Sequence, residues 1–212
     1  MLRYVLFDLD ETLYPASNPL MPALRERMRG FVQQRLGVGP LAAEQLSQRY
    51  FFEYGTTLRG LQIEQRVDPQ DYLDFLGSVD PVLFLFPDLH LREMLETIPQ
   101  GKYIFTNADR PHAERVLKAL GIAGQFDEIF DIASFDWQPK PAPVAYQRAL
   151  ATLQASPHEV AVVDDQARNI LGARALGLPG ILVGTAPDGE DCPCAASIYD
   201  VALVLAGLDG QD

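Results

Sequence analysis

The sequence predicts an α/β fold: a doubly wound parallel sheet, a Rossmann-like core, carrying an inserted all-helical cap. Three observations predict it. Apolar strands alternate with helices from about residue 102 onward. A stretch of helical texture from Pro19 to about Ser78 separates the first strand from that series. Of the 212 residues, 48% are hydrophobic, enough to bury a substantial core. The division that follows is a core of residues 1–15 and 88–212 and a cap of residues 16–87.

The first strand lies in "YVLFDLDETLYP", an apolar run that ends in Asp8 and Asp10. Strand side chains alternate, so the two carboxylates are expected on one side, with Leu9 on the other. "PLMPALRERMRGFVQQRLG" then has apolar residues near helical spacing and stops at Gly37. "GPLAAEQLSQRYFFEYG", with Pro40 near its start and Gly55 at its end, is a second helix. "TTLRGLQIEQ" and "DPQDYLDFLGS" complete the helical stretch.

Alternation follows. "KYIFTN", Lys102 to Asn107, is a buried-type strand, and "RPHAERVLKALG" a helix. "FDEIFDI" offers a short strand and "PAPVAYQRALATLQ" a helix. In "SPHEVAVVDD", Ser156 stands three before Glu159 as a capping signal, and the strand Val160 to Val163 comes next. "ARNILGARALG" is a helix, "GILVG" a strand, and "AASIYDVALVLAGL" a last strand and helix. There is no internal repeat and no low-complexity segment.

The formal net charge is −12, from 29 acidic and 17 basic residues. A chain this acidic, without a Lys/Arg-rich block, repels nucleic-acid backbone and anionic membrane, so neither is expected as a partner. No apolar run is long enough to span a bilayer, and "MLRYVLF" does not have the build of a signal peptide. The expected location is cytoplasmic, and the sequence does not set an oligomeric state. Cys192 and Cys194 in "DCPCAAS" are too few for a zinc site and read as a free, reduced pair in a mobile Pro/Gly-rich loop.

In open α/β sheets, ligands bind beyond the carboxyl ends of the strands. Asp8 and Asp10 stand at one such end, Thr106 and Asn107 at another, and Asp164 and Asp165 at a third. Lys140, between Pro139 and Pro141, stands in a loop expected at the same edge. One lysine does not balance four carboxylates, so a cation is expected among them. Oxygen ligands select a hard divalent ion, Mg²⁺, which also gives a phosphate a place to bind. His90, His112 and His158 show no ligand spacing and read as surface positions or core hydrogen bonding.

These parts suffice for phosphoryl transfer. Asp8 can act as nucleophile, forming an acyl phosphate. Asp10 can protonate the leaving oxygen and later deprotonate the attacking water. Thr106 and backbone N–H groups near Asn107 can bind the phosphoryl oxygens, and Lys140 can stabilise negative charge on both phosphate and nucleophile.

"FDLDETLY", "FTNA", "KPAP" and "VVDDQARNILGARALG" resemble, in order and spacing, the four motifs of the haloacid dehalogenase superfamily. The resemblance implies a phosphatase, because "DLDET" fits its D-x-D-x-T form, whereas the dehalogenases lack the second aspartate. It also implies Asp8 as nucleophile and metal ligand, Asp10 as acid/base and metal ligand through its carbonyl, and Asp165 as the further ligand. Thr106 and Lys140 would contact the phosphoryl group. Asp164, where the family commonly has glycine, would orient Lys140 or a metal-bound water. Asn169 replaces an acid in the outer shell, where Thr12 also belongs.

"YFFEYGTTLRGL" in the cap, with "DETLYP" and "IFTNADRPHAERVLKALGI", resembles the pyrimidine 5′-nucleotidase branch. That implies substrates such as UMP and CMP. A ring among Tyr50, Phe51, Phe52 and Tyr54 can stack on a base, although each also suits cap packing. Arg59 can equally reach a phosphate or carbonyl, or serve structure alone. The alternatives are a phosphatase or mutase for a sugar phosphate or phosphoglycolate, and a non-catalytic metal- or ligand-binding regulator.

Overall fold

The structure is a computed structural model that describes residues 1–186 and 192–209. Six parallel strands form one sheet in the order β3-β2-β1-β4-β5-β6. They are β1 (Tyr4–Phe7), β2 (Gly101–Phe105), β3 (Glu128–Phe130), β4 (Val160–Asp164), β5 (Gly180–Val183) and β6 (Cys194–Ala195). The strand order reverses direction between β1 and β4, which is where such a sheet opens a crevice.

Alternation along β1 builds the two faces. Val5 and Phe7 join one core cluster, and Leu6 joins the other. In β4, Ala161 and Val163 follow the first pair while Val160 and Val162 follow Leu6. Strands apolar on both faces are what a sheet covered by helices on both sides requires. The first face is covered by α5 (Leu89–Glu96), α6 (Arg110–Leu120) and α9 (Val201–Asp209). The second is covered by α7 (Pro143–Leu153) and α8 (Ala167–Arg174), where Tyr146 and Ile170 are fully buried.

Between β1 and α5 the chain forms α1 (Leu20–Leu36), α2 (Pro40–Tyr54), α3 (Thr57–Gln65) and α4 (Pro69–Leu76). These helices have a core of their own, including Phe31, Val32, Tyr50, Leu61 and Tyr72. Leu20, Leu24 and Leu85, which lie within residues 16–87, pack instead in the first cluster of the sheet domain. The start of α1 and the segment returning from α4 are thus anchored on the core.

Gly60 explains part of the "GTTLRGL" motif. A Cβ there would lie 2.2 Å from Tyr50 Cγ, so only glycine lets α3 rest on that ring. Cys194 is in the short edge strand β6 rather than in a loop, its Sγ 3.8 Å from that of Cys192. A two-residue strand leaves no periodicity for sequence reading to detect. Among the described residues, no helix is long and apolar enough to cross a membrane.

Candidate active site

Register brings the ends of three strands together. Phe7 pairs with Ile104 on β2 and with Val163 on β4. The next residue on each strand is therefore Asp8, Phe105 and Asp164. Lys140 enters from the loop before α7, and its ammonium donates to Asp8 Oδ1 (2.8 Å), Asp164 Oδ2 (2.7 Å) and the Phe105 carbonyl (2.6 Å). An ammonium has three donors, and here all are used on the protein. Lys140 is thus the counter-ion of two aspartates. The direct phosphoryl contact expected of it would need one of these bonds to give way.

Asn107 commits its side-chain amide to the protein. Its Oδ1 accepts from the Lys140 backbone N–H (2.8 Å) and its Nδ2 donates to the Lys140 carbonyl (3.1 Å). The amide is spent on holding the Lys140 loop, which leaves substrate binding here to backbone groups. Thr106 is buried, and its Oγ1 accepts from Ala108 N–H (3.0 Å). Among the described residues its hydroxyl proton has no acceptor, so it remains able to donate into the cavity that it lines.

Thr12 links the two sides of the crevice. Its hydroxyl lies 3.0 Å from Asp8 Oδ2 and accepts from Asp165 N–H (3.1 Å). Asp164 is fully buried and saturated: besides Lys140, it accepts from Gln166 N–H (2.8 Å) and from Asn169 Nδ2 (2.9 and 3.0 Å). Asp165 is half-buried and accepts from its neighbour, the Gln166 side chain.

Asp10 has a separate environment. β1 ends at Phe7, so the alternation that would align Asp10 with Asp8 has already stopped, and Glu11 turns the chain with φ 63°. Asp10 Oδ1 accepts from Tyr14 Oη (2.6 Å) and lies 2.9 Å from His112 Nε2. Its Oδ2 has no protein partner among the described residues. The carboxylates that crowd Asp8 are accordingly Asp164 and Asp165 rather than Asp10. His112, buried on α6, is the residue that sequence reading placed outside the site. Its position in the apolar stripe Ala113, Val116, Leu117 and Leu120 looks like core packing, and only the fold shows its carboxylate partner.

The charges follow from this geometry. Burial, with Asp164 and Asp165 nearby, pushes the Asp8 carboxyl up to about 8 despite Lys140. Burial and Asp164 likewise raise Asp165 to about 6. Burial works against ionised Asp10 too, but His112 and Tyr14 outweigh it and hold the group below its ordinary value. His112 moves up because Asp10 outweighs its desolvation.

Asp8, Asp164 and Asp165 each offer an oxygen, and these oxygens lie within 4.8 Å of one another. Three carboxylates around one ammonium leave negative charge that a hard cation would neutralise. Among the described residues Asn169 Oδ1 is buried without a partner, an acceptor suited to a cation-bound water. The donor set therefore fits a divalent ion. Asp8 and Asp165 suit direct coordination best, because Asp164 already accepts from three groups.

A cavity of about 860 Å³ lies over these residues, between sheet and cap. Asp8, Asp10, Thr106, Asn107, Asp165 and Asn169 line its floor, and Phe51, Phe52 and Thr56 its cap side. Of the other cap aromatics, Tyr50 is fully buried in the cap core, and Tyr54 donates to Glu64 (2.9 Å). Arg59 is half-buried on α3 and is not among the lining residues. The cations that do line the cavity are Arg25, Arg29, Arg115 and Arg168, together with His112.

The family profile of haloacid dehalogenase-like hydrolases matches residues 2–177. The chain belongs to that family. Among curated relatives, Phosphate metabolism protein 8 of Saccharomyces cerevisiae is 30% identical over 199 residues. The match covers 85% of this chain and 61% of that protein, so the chain spans under two thirds of its relative's length. Among solved structures, 2-haloacid dehalogenase from Pseudomonas syringae pv. Tomato DC3000 aligns with a TM-score of 0.64 at 21% identity, over 98% of this chain and 99% of that one. The HAD-hydrolase YfnB of Bacillus subtilis, solved with magnesium bound, aligns with a TM-score of 0.61 at 18% identity, over 96% and 98%. At such identities the structural matches establish the fold of this chain, and its chemistry rests on the site.

Proposed function

We propose that this hydrolase is a Mg²⁺-dependent phosphomonoesterase that works through an aspartyl-phosphate intermediate on Asp8. The observation that carries the reading is the division of labour between two aspartates. Asp8 is held against Lys140, while Asp10 is held separately by His112 and Tyr14, with its other oxygen free of the described residues. A reaction that only displaced a group onto Asp8 would have no use for the second acid. Ester hydrolysis does, because an alkoxide leaves and a water must be activated.

In the first step an Asp8 oxygen attacks phosphorus, the P–O bond to the leaving group breaks, and the leaving oxygen takes a proton from the Asp10–His112 pair. In the second, Asp10 accepts a proton from water as that water attacks the acyl phosphate. Asp8 is released together with inorganic phosphate. Lys140 and Thr12 hold the Asp8 carboxylate in place throughout, and Thr106 donates to a phosphoryl oxygen. Asp8, Asp165 and the Asp10 carbonyl would hold Mg²⁺, with Asn169 and Asp164 outside them. When bound, the ion supplies positive charge that neutralises the carboxylates and the phosphoryl oxygens. The magnesium in the YfnB structure supports this choice of metal.

For substrate, we propose pyrimidine nucleoside 5′-monophosphates. The "YFFEYGTTLRGL" resemblance supports this, as does a cavity large enough for a nucleotide with Phe51 and Phe52 on its cap side. The test is phosphate release with Mg²⁺ from UMP, CMP and their deoxy forms, beside purine nucleotides and sugar phosphates. Turnover is expected to be fastest on the pyrimidine set. Activity confined to sugar phosphates would overturn the substrate assignment and leave the chemistry standing.

A further inference from the structure

Two arginines of the core reach across the cavity rim to the cap. Arg115 on α6 donates to the carbonyl of Gly77 (2.7 Å), just after α4, where the chain itself returns to the core. Arg168 on α8 works at the opposite side, where the cap has no covalent tether. Its Nη1 donates to the Phe51 carbonyl (2.9 Å) and its Nη2 to the Gly55 carbonyl (3.0 Å), both at the end of α2. A guanidinium fork suits two carbonyls at the negative end of a helix dipole. The same guanidinium lies 3.8 Å from the centre of the Phe51 ring, which lines the cavity.

The neighbouring contacts are close. Gly55 has φ +88°, and a Cβ there would stand 3.0 Å from Pro139 Cγ and 3.1 Å from the Lys140 carbonyl. The turn held by Arg168 thus rests on the loop that carries the nucleophile's counter-ion. Trp137 of that loop packs against the cap cluster. The guanidinium's hydrogen bonds to the cap run through its two terminal nitrogens.

We infer that Arg168 is a positioning residue that seats the cap's Phe51–Gly55 turn on the core and so selects esters whose leaving group reaches Phe51. The selectivity half rests on the phosphoester reading; the seating half does not. A small ester needs only the floor of the site. A leaving group with a ring needs Phe51 fixed above it, and the guanidinium fixes both that ring and its backbone.

The test compares wild type, Arg168→Ala and Arg168→Lys in two measurements. Trp137 is the only tryptophan in the sequence, so acrylamide quenching of its fluorescence reads cap seating without turnover. We expect the quenching constant to rise about twofold in Arg168→Ala as the cap side loosens. In parallel, KM for UMP should rise about tenfold, while kcat/KM for acetyl phosphate changes less than about threefold. Arg168→Lys, with a point charge in place of the fork, should fall between. Wild-type quenching in both variants, or equal losses on both substrates, would overturn the inference. If Arg168→Ala does not fold, Arg168→Lys is judged by the same criteria. A wild type inactive on both compounds would overturn the proposed substrate and with it the selectivity half, and quenching would still decide the seating.

Discussion

Asp8 and Asp10 are separated by a single residue, and what surrounds them prepares them for the opposite tasks of the proposed reaction. Asp8 is buried among other acids, so without a cation the folded chain keeps a proton that the unfolded chain gives up. Its raised folded value means that the stability it contributes is present below the ordinary carboxylate range and is lost as pH rises through about 8. Thermal melts in chelator should therefore fall more steeply between pH 5 and pH 8.5 for wild type than for Asp8→Asn, and Mg²⁺ should narrow the difference; parallel curves would count against this picture of Asp8. In the proposed reaction Asp10 carries the proton transfers. Asp10→Asn should lower kcat by about 10²- to 10⁴-fold with the fold retained, and His112→Ala should lower it less. Steady-state rates with circular dichroism decide this, and an undiminished Asp10→Asn would remove Asp10 from the chemistry.

Elements deliver these residues with different degrees of legibility. The carboxyl ends of β1, β2 and β4 are readable from sequence, because short apolar runs ending in polar residues mark both a strand and its exit. The register then converts those ends into a site with little further information. Residues that act across elements are another matter. Asn107 grips a backbone 33 positions away, and nothing local distinguishes that from a turn asparagine. His112 sits at an apolar-stripe position of α6, and Arg168 at the start of α8 resembles a solvated cation. Arg59 stands in a recognisable motif, yet α3 turns that motif's glycine inward onto Tyr50. Gly60→Ala should accordingly cost about 1–3 kcal/mol by overpacking, read as a lower denaturation midpoint. An unchanged midpoint would mean that α3 and Tyr50 have room which the structure does not show.

At the scale of the whole molecule, a parallel sheet gathers acids at one edge and an inserted cap encloses them. The fold class was legible because the helical stretch interrupts an otherwise regular alternation. The seating of cap on core was not, because it depends on long-range contacts such as Arg168 to Gly55 and Gly55 to the Lys140 loop. The enclosure matters chemically: a covered crevice strengthens the charges that act on a phosphoryl group. In the proposed reaction all of this converges on one bond, between phosphorus and an Asp8 oxygen. The most direct measurement is mass spectrometry of protein quenched in acid during turnover of UMP with Mg²⁺. A phosphoryl group on the peptide containing Asp8, absent from Asp8→Asn, is the result predicted here. Turnover with no such adduct, or with the phosphoryl group on another residue, would contradict the account.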